Sequence, residues 1–73
     1  MMTEPQEPTF SFETDLIDGV LPISRAASSL AAKIKWVDAH HKPVVITQKG
    51  YPTGVLISVA MFRYLQQLSE QQA

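Results

Sequence analysis

Residues 43–59 read PVVITQKGYPTGVLISV. Two runs rich in β-branched residues, Pro43 to Gln48 and Pro52 to Val59, flank the turn signal Lys49-Gly50. The pattern predicts a hairpin with a loop of about three to five residues. Gly54, inside the returning strand, marks a bulge or a close backbone approach. Both runs are continuously apolar rather than alternating. Such strands are covered on both faces, here by a helix on one side and a second subunit on the other.

Working outward, Val20 to Ile23 reads as a short extended piece. Pro22 has no amide to donate, so the piece is an edge strand or a lead-in. Ser24 is expected to cap a helix running from about Arg25 to His40 or His41. At 3.6 residues per turn, Ala27, Leu30, Ile34, Val37 and His41 share one face. Arg25, Ser29, Ala32, Trp36 and His40 share another, which puts Trp36 at the rim of the core or under a second subunit. Pro43 stops this helix. Downstream, Ser58 caps a second helix from Val59 to about Gln71, with Met61, Phe62, Leu65 and Leu68 as its apolar stripe. The order β-α-β-β-α predicts an α+β fold: a small antiparallel sheet with two packed helices.

The chain has 73 residues, no cysteine, 45% hydrophobic and 18% charged residues. One small domain fits this length, without a disulfide framework. No apolar run reaches the roughly 18–20 residues of a membrane span, and no secretory leader is expected. The net charge of −1 hides an asymmetry: residues 1–18 carry −5 and residues 19–73 carry +4. Residues 1–18 read as a flexible acidic arm with Pro5 and Pro8. Phe10 and Phe12, spaced by two, are either a sticky extended peptide or disordered, with disorder preferred. Residues 19–73 form the folded body. A body of about 55 residues buries little, so it is expected to pair with a second copy. A basic body also points weakly to a polyanionic partner.

Three pieces of sequence carry a family resemblance: the lead-in Pro22-Ile23-Ser24 with Leu30 six residues after Ser24, the run PVVITQKGYPTGVL, and Ser58 followed by Phe62 and Leu65. Together, over about residues 20–68, they resemble the Phd/YefM antitoxins of bacterial type II toxin–antitoxin modules. The resemblance implies a cytoplasmic, homodimeric domain that binds operator DNA and represses its own operon. It also implies a segment that neutralises a cognate toxin, RelE/ParE-like or Doc-like. The sequence departs from the family at Ala27, where Arg is usual, and at Val59, Ala60 and Met61, where acids are usual. Little chain follows Leu68, so the toxin-wrapping tail is expected to be short or missing.

For DNA contact the candidates are Arg25, Ser28, Ser29 and Lys33 on the first helix, with Gln48 and Lys49 at the hairpin turn. A helix start offers free N–H groups and a positive dipole end, which suit a phosphate. For a protein partner the candidates are Met61, Tyr64, Leu65 and Leu68. His40-His41 is not expected to hold a metal, because adjacent histidines diverge and no cysteine or acidic pair completes a shell. Ser24 and Ser58 are read as caps rather than nucleophiles. No catalytic residue, enzyme activity or cofactor is expected. Two alternatives stand beside the antitoxin reading: an interaction module that binds a toxin with little DNA contact, and a solitary DNA-binding repressor without a toxin.

Overall fold

The computed structural model describes residues 10–72. The flexible-arm reading of residues 1–9 lies outside them. The elements are β1 (Val20–Pro22), α1 (Ile23–His40), β2 (Val44–Gln48), β3 (Tyr51–Leu56) and α2 (Val59–Gln72). This is an α+β unit with one three-stranded sheet in the order β1-β2-β3.

The sheet is mixed rather than antiparallel as expected. β1 runs parallel to β2, with Val20 opposite Val45 and Pro22 opposite Thr47. The cause is α1, whose 18 residues span about 27 Å and carry the chain back to the end where β1 began. β1 lies at the sheet edge, as Pro22 requires.

β2 and β3 form the expected hairpin, but its loop has two residues instead of three to five. Lys49 (φ 52°) and Gly50 (φ 81°) both occupy the left-handed region, the pattern of a type I′ turn that matches strand twist. The bulge falls beside Gly54: Ile46 pairs with Gly54 and Thr47 with Pro52, leaving Thr53 unpaired. Thr53 Oγ1 donates to the Ile46 carbonyl at 3.3 Å. Pro52 supplies no amide there, so the ladder slips by one residue at little loss.

α1 begins at Ile23, two residues before the expected start. Pro22 is its N-cap residue in extended geometry, and no side chain caps it. Ser24 is therefore inside the first turn and is not the cap. At the far end His41 adopts the left-handed conformation (φ 55°) and its N–H returns to the Val37 carbonyl at 2.8 Å. α2 is capped as expected: the Met61 N–H donates to Ser58 Oγ at 3.1 Å.

The core is Leu21, Val37, Val44 and Met61, with Phe10, Ala26, Trp36, Leu56 and Ile57 packed round it. This corrects the expected helix face. α1 turns Ala26, Ser29, Lys33, Trp36 and Val37 inward, while Leu30 and Ile34 are 43% and 48% exposed. The two faces lie about a quarter turn apart and meet at Val37. β3 is not covered on both faces as expected; Tyr51 to Val55 are exposed. The cross-strand row Val20, Val45, Val55 lies on the sheet face away from the core residues Leu21, Val44 and Leu56.

Residues 10–12 dock rather than extend into solvent. The Ser11 N–H donates to the His41 carbonyl at 3.0 Å. Phe10 sets its ring 5.2 Å from His41 and 5.4 Å from Tyr64, and Phe12 stacks on Tyr64 at 6.3 Å. The aromatic area of the pair outweighs the extended preference of the surrounding acids.

Candidate nucleic-acid interface and partner face

Pro22 lies beside Thr47 in the sheet. The start of α1 and the Lys49-Gly50 turn therefore occupy the same end of the molecule. This end gathers Arg25, Ser28, Gln48 and Lys49, all exposed. The first turn of α1 has no side-chain cap and no acidic residue, so its N–H groups face outward with the positive end of the helix dipole. A cation at this end, as Arg25 is, opposes that dipole. An anion bound between them relieves the opposition and takes the free amides as donors. Ser28 Oγ donates to the Arg25 carbonyl at 3.2 Å, so its hydroxyl proton is already used.

Lys33 and Ser29 stand apart from this group. Ser29 is half-buried against the sheet. Lys33 sits two turns along, about 12 Å from Arg25, and Nζ donates to the Asp18 carbonyl at 3.1 Å. The ammonium also lies 6.0 Å from the centre of the Trp36 ring. Sequence reading missed Ser24: freed from capping, its exposed hydroxyl joins Arg25 in the first turn.

On α2 the four partner candidates separate. Met61 is completely buried among Leu21, Val37 and Val44; it is a core residue and cannot anchor a partner. Tyr64 is shared with Phe10 and Phe12. Leu65 and Leu68 remain exposed, and so does Phe62, which the candidate set left out. The helical spacing of Phe62, Leu65 and Leu68 carried that signal.

The two histidines diverge. His40 donates from Nδ1 to the Trp36 carbonyl at 2.9 Å and stacks on the Trp36 ring at 4.7 Å. His41 faces Phe10, and its Nδ1 is buried without a hydrogen-bond partner among the described residues. Among the described residues no three metal-ligating side chains come together, and no helix is long and apolar enough to cross a membrane.

Comparison with family models, curated proteins and solved structures finds no match to this chain.

Proposed function

We propose that this chain is a dimeric DNA-binding antitoxin of the Phd/YefM kind, which represses its own operon and binds a toxin. The observation that supports DNA contact best is the open start of α1, with Ser24 and Arg25 beside Lys49 at one end of the molecule. Free amides, the positive end of a helix dipole and two cations at one end of the molecule are the groups that suit a phosphate.

Dimerisation rests on the outward stripe of α1. Ile23, Ala27, Leu30 and Ile34 recur at spacings of four, three and four, the seam of a helix–helix contact. All four are exposed in one copy. Among the described residues four form the buried core, few for an independent domain, and a second copy laid along this seam would supply further cover. The row Val20, Val45, Val55 is narrower and is the weaker candidate.

The toxin half of the reading rests on Phe62, Leu65 and Leu68, which α2 leaves exposed together. An interaction module that binds a toxin without DNA would use the same face. A gel shift with the DNA upstream of the gene, alone and with the product of the neighbouring reading frame, separates these readings. A retarded band with the chain alone, supershifted by the neighbour's product, is the expected result. A complex with the neighbour but no retarded DNA would overturn the repressor half. DNA binding without any complex would leave a solitary repressor.

A further inference from the structure

Leu16 and Ile17 are 84% and 88% exposed, the highest values among the large apolar side chains described. They do not sit on a slack loop. Asp15 Oδ1 accepts from the Ile17 and Asp18 amides, both at 2.9 Å, and the Gly19 amide donates to the Asp15 carbonyl at 2.8 Å. The turn is then tied to the body at two points. Val45 N–H donates to the Gly19 carbonyl at 2.7 Å, and Lys33 Nζ to the Asp18 carbonyl at 3.1 Å. A Cβ on Gly19 would lie 2.6 Å from the Asp15 carbonyl oxygen, so the close turn depends on glycine. Two adjacent aliphatic side chains are thus held out into water on a built turn.

We infer that this turn is a docking knob for a second copy of the chain, and that Leu16 and Ile17 seat against the α1 stripe of the other copy. The inference rests on the dimer reading above and specifies what completes the interface. Two features favour a copy as the occupant. Lys33, which holds the knob, neighbours Leu30 and Ile34 on α1, so the knob flanks the seam that a copy would cover. The charges are also complementary. Glu13, Asp15 and Asp18 surround the knob within an arm of −5, and the body that would receive it carries +4.

Two-fold symmetry gives each copy one knob to offer and one seam to receive it. Lys33 lies in the second half of α1. If the helices cross antiparallel, each knob falls toward Ile23 and Ala27 of the other copy. Arg25 projects from the opposite side of the helix and stays free for DNA.

Sedimentation of the full chain tests this with three proteins: the wild type, the double variant Leu16→Ser/Ile17→Ser, and Ile34→Asp. The knob variant should keep the wild-type circular dichroism spectrum, because neither side chain is buried, and should weaken the dimer at least tenfold. Ile34→Asp should be monomeric. An unchanged dimer constant in the knob variant would overturn the knob while leaving the dimer intact. A monomeric wild type would overturn both. A photo-crosslinker at position 17, in a mixture of isotopically heavy and light chains, gives a second readout. Heavy–light adducts on residues 23–34 are expected; adducts within one chain or on other elements would overturn the inference.

Discussion

Met61 shows how much one side chain carries in so small a body. It comes from the first turn of α2 and is completely buried among Leu21, Val37 and Val44. Among the described residues it is the one α2 side chain that is fully buried, so it pins the helix to the sheet. Met61→Ala should destabilise the chain by about 2–5 kcal/mol, the range for truncating a buried Met or Leu. That approaches the whole stability of a small domain. Urea unfolding followed by circular dichroism measures it, and a loss well under 1 kcal/mol would contradict the core placement. In sequence Met61 looked like a partner anchor because its neighbours Phe62, Leu65 and Leu68 form an apolar stripe. Nothing local tells which member of a stripe faces inward. Asp15 is the other residue with a measurable signature. Its carboxyl is held below the usual range by the amides of Asp18 and then Ile17, with smaller help from Lys42 and His40. A lowered value means that the turn is stabilised above the ordinary carboxyl range and loses that support as pH falls through the lowered value. The amide resonances of Ile17 and Asp18 should titrate together with a midpoint below that of a free aspartate. In Asp15→Asn this step should vanish.

Among the elements, legibility followed the range of the forces involved. The α2 cap depends on Ser58 and the residue three places on, and sequence located it. Ser58→Ala should therefore cost about 1 kcal/mol, read as a lower urea midpoint with an unchanged slope. No change in midpoint would mean that the Ser58–Met61 hydrogen bond adds nothing. The two strands of the hairpin were equally legible, since β-branched runs need no distant information. The direction of β1 was not. It depends on where an 18-residue helix delivers the chain, a property of length and packing rather than of VLP itself. The facing of α1 was also hidden, because periodicity favours the more apolar face, whereas the inward face mixes Ala26, Trp36 and Val37 with Ser29 and Lys33. Leu30 and Ile34 are aliphatic and continue at helical spacing to Val37, so they looked like core. The sheet instead took Ala26, Trp36 and Val37, smaller residues with one broad ring that let the helix lie close. Of the candidate DNA residues, topology grouped Arg25, Ser28, Gln48 and Lys49, but Lys33 was drawn to Asp18 by a bond across fifteen residues that no motif encodes.

At the scale of the whole molecule, charge is arranged along an axis. The open helix start and the Lys49 turn occupy one end, and the acidic turn of residues 13–18 is tied to α1 through Lys33, nearer the other. Within one copy, the described acids of that turn, Glu13, Asp15 and Asp18, lie away from the cationic end and would repel a polyanion approaching their own side. This polarity makes the salt dependence of operator binding a test of geometry. If Arg25, Lys33 and Lys49 each met a phosphate, a dimer would make about six contacts and the log–log slope would be roughly −5. With Lys33 committed to the Asp18 carbonyl, the contacting cations fall to Arg25 and Lys49, about four per dimer, and the slope becomes roughly −3.6. Arg25→Ala removes two of these and should flatten the slope to about −1.8, with the loss falling similarly on operator and random DNA because phosphates carry no sequence. Lys33→Ala should leave the slope where it was, although it loosens the Asp18 turn. Fluorescence anisotropy with labelled duplex across a series of salt concentrations reads all three slopes. A wild-type slope near −5 that drops in Lys33→Ala would place that ammonium on the DNA and move the contact surface along α1, while a slope indifferent to Arg25 would remove the helix start from it.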